Sequence, residues 1–269
     1  MSIAKSTPPL VLMDPPFLDP YDPRYPDSDG KPMADNSTQF NWMVTIKEGL
    51  ESLFEDDPNV FIAGDMLWYA VEGDPKQCMA PDVMVAFNRP KADRHSYKQW
   101  WEGSPPNVVF EIHSPKNTKK QMERKLQFYD EHGVEEYYYY KPKTGDLFGW
   151  RRNEAGLQSI PRMDGWRSPR LGVTFEAPRR KEALVIHRPD GRVFETYREL
   201  HHRADAEARR ANEESHRADE EARRANDEAR RALEASRRAQ SAEERAEAER
   251  QRADRLAARL RALGLEDDE

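Results

Sequence analysis

The chain contains a single cysteine, Cys78, among its 269 residues. One thiol excludes a disulfide framework and every cysteine-rich zinc centre, and it fits a reducing compartment, so a cytoplasmic protein is expected. No apolar run approaches the roughly 20 residues that cross a bilayer, and the N-terminus lacks a basic stretch followed by an apolar one. Neither a membrane span nor a secretion signal is expected. Positive charge is also in short supply, because 43 Lys and Arg face 50 Asp and Glu for a formal charge of -7. Global basicity therefore cannot drive nucleic-acid binding, which would need a local cationic patch or a metal held by acids. Apolar residues make up 37% and charged residues 35% of the chain, which is too little hydrophobic surface for one core of this length. The apolar residues must be concentrated in one part.

Three regions separate by composition. Residues 1–36 hold eight prolines and read as an extended arm, able to lie across the following domain through Phe17, Leu18, Tyr21 and Tyr25 or to remain a mobile leader. Residues 37–197 alternate between helical and strand-like periods and form the globular domain. Asn36 or Ser37 can cap a first helix carrying Phe40, Met43, Val44, Leu50, Leu53 and Phe54. Short strands are expected at 60–63, 66–71, 83–87, 108–113, 136–140, 147–151 and 184–188. One long helix interrupts them, starting at Ser114-Pro115 as cap and first helical position and stopping at His132-Gly133. This order predicts an α+β sheet domain.

The third region, 201–265, has no Pro, Phe, Tyr, Trp or Lys. Residues 202–215 match 216–229 at 11 of 14 positions, and 14 is two heptads. Alanine recurs every seven residues from Ala204 to Ala253, with Leu260 completing the series, while the second seam at Ala208, Ser215, Ala222, Ala229 and Ser236 fails at Glu243 and Arg250. Acid-to-arginine pairs such as Asp205/Arg209 and Glu220/Arg224 support each turn. A long helix follows, and two associations compete for it. It can stand alone in water on alanine propensity and its own ion pairs, or its small-residue stripe, ending in Leu256, Leu260 and Leu263, can join two chains as a coiled-coil homodimer or take a different protein partner.

Within the globular domain, three polar residues stand where the period demands apolar ones. Strand alternation puts Asp82 with Met84 and Ala86, and Glu111 with Val109 and His113, inside otherwise apolar segments. A carboxylate so placed needs a partner, because an isolated buried charge is very costly. On the second helix, Lys125 falls inside the arc of Met122, Leu126, Phe128 and Tyr129 and points toward the sheet. Paired carboxylates with an inward ammonium can hold a hard divalent cation and cleave a phosphodiester. Spacing alone also allows, and slightly favours, a buried Glu111–Lys125 ion pair with Asp82 capping the turn after Pro81.

The ordered set Pro81-Asp82, Glu111-Ile112-His113-Ser114-Pro115, Lys125 with Tyr129, Gly133-Val134 and Glu136-Tyr137 resembles the Uma-two family of restriction-endonuclease-like proteins, within the PD-(D/E)XK nuclease superfamily. The resemblance covers about residues 37–195. It implies a mixed β-sheet core flanked by helices and Mg²⁺- or Mn²⁺-dependent cleavage of DNA, with Asp82 and Glu111 as metal ligands. The wider superfamily carries its lysine two residues after the acid, where this chain has His113; the family carries it on the next helix, which corresponds to Lys125. Gln121 departs from the family, many of whose members have an acid four residues before that lysine. A superfamily acid on the first helix corresponds to Glu48 or Glu51.

Three further readings concern the surroundings. His113 is read as a third ligand, a proton carrier or a hydrogen-bond neighbour of Glu111. Lys116, Lys119, Lys120 and Arg124, with Lys125, offer cations to a phosphate backbone or form a solvated helix face. Trp100 and Trp101 either stack on bases or close a core edge. The leading function is a Mg²⁺-dependent endodeoxyribonuclease, and its rival is a catalytically lapsed nuclease fold that acts in assembly or regulation through the helical tail.

Overall fold

The computed structural model describes residues 22–30, 32–177 and 183–262. The chain divides into two compact units at Leu200–His201. Phe17, Leu18 and Tyr21 of the expected arm, and Leu263 of the tail, lie outside the described residues.

The first unit is an α+β domain. Its elements run α1 (Ser37–Leu53), β1 (Val60–Gly64), β2 (Trp68–Tyr69), β3 (Cys78–Met79), β4 (Val83–Phe87), β5 (Tyr97–Lys98) and α2 (Gln99–Glu102). They continue with β6 (Val108–Ile112), α3 (Lys119–Glu131), β7 (Glu136–Lys141), β8 (Asp146–Asn153), β9 (Gly156–Ser159), β10 (Trp166–Arg167), β11 (Thr174–Glu176) and β12 (Val185–His187). A six-stranded mixed sheet ordered β1-β4-β6-β7-β8-β9 forms the centre, flanked by the small sheets β10-β11-β12 and β3-β2-β5. Only the β6–β7 pair of the central sheet is parallel, and α3 makes the crossover that a parallel pair requires.

The central strands are apolar on both faces because both faces are covered. Met43, Ile46 and Leu50 of α1 pack with Val83, Val85, Val108, Phe110 and the small β10-β11-β12 sheet on one side. Phe128 and Tyr129 of α3 pack with Met84, Ala86, Val109, Tyr137 and Tyr139 on the other. The four consecutive tyrosines of β7 thus divide two and two between the cores, and all are buried. Tyr25 is 4% exposed, its hydroxyl accepts the Gly73 N–H at 2.7 Å, and its ring meets Tyr69 and Trp100. This described part of the arm lies across the domain.

Two expected elements differ. The strand expected at 66–71 shrinks to Trp68–Tyr69, because Asp65 (φ 48) and Gly73 (φ 83) turn the chain on either side. The long helix starts at Lys119 rather than after Ser114. Thr118 and Gln121 close a reciprocal capping box there, while the Ser114 hydroxyl donates to the Asp35 carboxylate and accepts the Lys116 N–H within a separate turn, Ser114–Asn117. The end at His132 and Gly133 is as expected, with Gly133 at φ 93.

From His201 onward the second unit is formed by the long helix α4 (Tyr197–Ala262), 66 residues and about 100 Å at 1.5 Å per residue. It starts four residues earlier than composition implies, because Thr196 and Glu199 cap one another's main chain. Glu220 and Arg224 pair at 3.8 Å, and Leu233, Leu256 and Leu260 are exposed. Among the described residues no helix is long and apolar enough to cross a membrane.

Candidate active site

Antiparallel pairing of β4 with β6 sets Val83 opposite Phe110. One step further along both chains brings Asp82 level with Glu111 at the end of the sheet, where Glu111 turns toward α3 and Asp82 is held by α1 and the β6 main chain. Asp82 is 5% and Glu111 3% exposed. The main-chain N–H of Ile112 donates to Asp82 Oδ2 at 2.6 Å, tying the acid to β6 where the β4 ladder has ended.

Helix α3 satisfies Glu111. Lys125 Nζ donates to both carboxylate oxygens at 2.7 and 2.6 Å, and the Tyr129 hydroxyl donates to Oε1 at 2.5 Å. The two donors are four residues apart and therefore one above the other on the helix face. The inward arc expected for Lys125 is what the helix presents.

Helix α1 satisfies Asp82 with a residue the sequence reading did not select. Gln39 Nε2 donates to Asp82 Oδ1 and Oδ2 at 3.1 and 3.3 Å, while its own Oε1 accepts the Asp35 N–H at 3.0 Å. The amide is thereby held with its NH₂ toward the acid. Asn36 caps α1 by accepting the Gln39 N–H at 3.0 Å, which fixes the first turn. A signal for Gln39 was available, because positions 39, 43, 46 and 50 form one helical stripe whose other members are Met43, Ile46 and Leu50. Glu48 and Glu51 lie elsewhere on α1, both paired with Lys47, at 3.1 and 3.7 Å.

The charges do not balance, since two acids share one ammonium. Burial, and then the negative charge of Glu111, push the Asp82 carboxyl up to about 7, against the pull of Lys125, the Ile112 N–H and Gln39. Burial disfavours the Lys125 ammonium, yet Glu111 and Asp82 outweigh it and hold the pKa above the usual lysine value. Burial and Glu111 push the Tyr129 hydroxyl well above its usual range, which keeps it a donor.

His113 differs from the expected neighbour of Glu111. Its Nδ1 meets the Tyr139 hydroxyl at 2.6 Å, because Glu111 turns toward α3 and is satisfied there. Burial, with Lys141 and Lys143 nearby, lowers the imidazole pKa. The expected phosphate contacts lie on the surface at the start of α3. Lys116 pairs with Asp35 at 2.8 Å and Lys119 with Glu123 at 3.6 Å, while Lys120 and Arg124 are exposed. Trp100 packs on Tyr25, and Trp101 is 51% exposed.

A hard cation fits this donor set. A carboxylate has about four lone-pair sites; Asp82 fills three with Gln39 and Ile112, and Glu111 three with Lys125 and Tyr129. Each acid retains one, in a site with two carboxyls and one ammonium. Among the described residues no group of three His, Cys, Asp or Glu side chains is placed to hold a metal, so the protein would contribute two carboxylates. Mg²⁺ is commonly held by one or two carboxylates and keeps its remaining waters.

Residues 19–177 match the Uma2 family, described as "Putative restriction endonuclease". Among solved structures, the chain is similar to a protein of Anabaena variabilis ATCC 29413 described as "a putative nuclease belonging to DUF820". The two are 14% identical over 53% of this chain and 77% of that one, with a TM-score of 0.41. No curated protein matches the chain.

Proposed function

The chain belongs to the Uma2 family, described as putative restriction endonucleases, and from that premise we propose that it is a Mg²⁺- or Mn²⁺-dependent endodeoxyribonuclease. In this reading Asp82 and Glu111 are the metal ligands and Lys125 is the catalytic cation. The observation that carries it is the uncompensated charge, two buried acids against one ammonium with the Asp82 carboxyl pushed up to about 7. Such a site is uncomfortable empty and suited to a divalent ion.

The cation, when bound, supplies Lewis acidity toward a phosphodiester oxygen. The chain's own groups do the rest. Gln39 and the Ile112 N–H orient Asp82, and Tyr129 orients Glu111. Lys125, kept protonated by the acids around it, stabilises negative charge that develops on the phosphate. His113, whose pKa is lowered, offers an uncharged ring nitrogen as a proton acceptor. Lys116, Lys119, Lys120 and Arg124 bind flanking phosphates. Self-association through the Ala204–Ala253 stripe of α4 presents two such domains to one duplex, and the protein works in the cytoplasm.

One observation favours the rival. Both oxygens of Glu111 are already engaged by Lys125, and a pair closed in that way serves structure as well as chemistry. The lapsed reading then leaves function to the tail and its protein partner. Incubation of the full-length protein with plasmid and with single-stranded DNA, in Mg²⁺, in Mn²⁺ and in chelator, separates the two. Metal-dependent cleavage that Asp82→Asn abolishes is expected, and cleavage retained in that variant rejects the assignment.

A further inference from the structure

The sheet row that carries the two acids continues past them. Glu111 is paired with Tyr139 on β7, and Tyr139 with Phe148 on β8. From Glu111 to Phe148 is two strand spacings, about 10 Å. Cover from α3 runs out along this line. Two residues further along β8, Trp150 stacks on Tyr137 at 4.9 Å, and two beyond that Arg152 donates to the carbonyls of Tyr129 and Asp130 at the end of α3. Phe148 lies past that cover and is 41% exposed.

Its surroundings are cationic. The Lys141 ammonium stands 4.9 Å from the centre of the Phe148 ring and 5.5 Å from that of Tyr139. Tyr139 backs Phe148 with ring centres 6.1 Å apart, and its hydroxyl is anchored on His113. Lys143 acts on His113 together with Lys141, so both cations lie toward this end of the sheet. The facing acid, Asp146, is the cross-strand partner of Lys141 and accepts the Thr144 hydroxyl at 2.7 Å.

An exposed ring attended by cations is the chemistry of single-strand binding, in which bases stack on aromatic faces and cations follow the backbone. A fully paired duplex offers the cations its phosphates but offers the ring no base face. We propose that Phe148, backed by Tyr139 and flanked by Lys141 and Lys143, is a stacking platform for an unpaired nucleotide next to the phosphodiester held at Asp82 and Glu111. The position of that phosphodiester rests on the nuclease reading; the chemistry of the platform does not.

Anisotropy of a labelled oligothymidine, titrated with full-length protein in chelator, tests the platform directly. Phe148→Ala should lose about tenfold in affinity, Phe148→Trp should keep it, and neither should change binding to a long, fully paired duplex by more than about twofold. Lys141→Ala should lower the salt slope by about 0.7. Equal single-strand affinity of wild type and Phe148→Ala overturns the proposal, as does an equal loss on the duplex or a wild type that does not bind the single strand. Plasmid cleavage measured in parallel keeps the two readings apart. Cleaving wild type with Phe148-independent binding removes the platform alone, whereas Phe148-dependent binding without cleavage in any metal removes the nuclease alone.

Discussion

Replacing Asp82 by asparagine should stabilise the metal-free protein near neutral pH. Asp82 is an acid whose folded pKa is raised, from 3.8 to about 7, by burial and by Glu111. Below 3.8 it is protonated in both states and costs nothing. As pH rises toward 7 the unfolded chain ionises first, so folding loses free energy that reaches about 4 kcal/mol above pH 7. The new amide removes that loss but introduces another. Its oxygen can still accept the Ile112 N–H, but its NH₂ then faces the Gln39 NH₂, which the Asp35 N–H prevents from turning over. One such mismatch costs about 1 kcal/mol. The net gain at pH 8 is about 3 kcal/mol, or about 6 to 12 °C in melting temperature for a domain of this size. At pH 3.5 the gain should vanish or reverse. Thermal unfolding of both proteins in chelator, followed by circular dichroism from pH 3.5 to 8, measures it. Mg²⁺ should narrow the gap by stabilising wild type selectively. A variant less stable than wild type at pH 8, or a difference that does not change with pH, would refute the reasoning.

Two further outcomes follow from the same geometry and from the tail. Lys125→Met keeps the aliphatic stem but leaves Glu111 buried without its cation, so it should lose cleavage and about 3 to 5 kcal/mol of stability at pH 8; denaturant unfolding checks this, and an unchanged midpoint would leave the ion pair without a structural role. Full-length protein should scatter light as a dimer, and a version ending at Leu200 as a monomer. Two monomers at tens of micromolar would make α4 a spacer or a docking helix for another partner.

Local chemistry was legible in the sequence wherever neighbours along the chain decide it. The strand at Val83–Phe87, the stop at Gly133 and the long tail helix all follow from short-range pattern. The start of α3 is misplaced by local pattern because Ser114-Pro115 and Thr118-x-x-Gln121 are both sound starting signals; Ser114 instead opens a turn to Asn117 and is tied to the distant Asp35 carboxylate. Asp82, Glu111 and Lys125 were visible as polar residues at apolar positions. Gln39 satisfies the same test on α1, but an uncharged amide at an apolar position is a weaker signal than a buried charge. Phe148 could not be found this way, since its exposure depends on where α3 ends its cover of β8, which no local pattern specifies.

The hydrogen bonds at the site differ greatly in the length of chain they close. Lys125 meets Glu111 across 14 residues, within one strand-helix unit, and that pair is electrically neutral. Asp82 reaches Ile112 across 30 residues and Gln39 across 43. The pairing of the two acids is therefore a property of tertiary closure rather than of any segment. Asp82 joins the other two groups only when β4 docks on β6, and whatever loosens that strand pair removes the second acid from the site while leaving the Glu111–Lys125 pair intact.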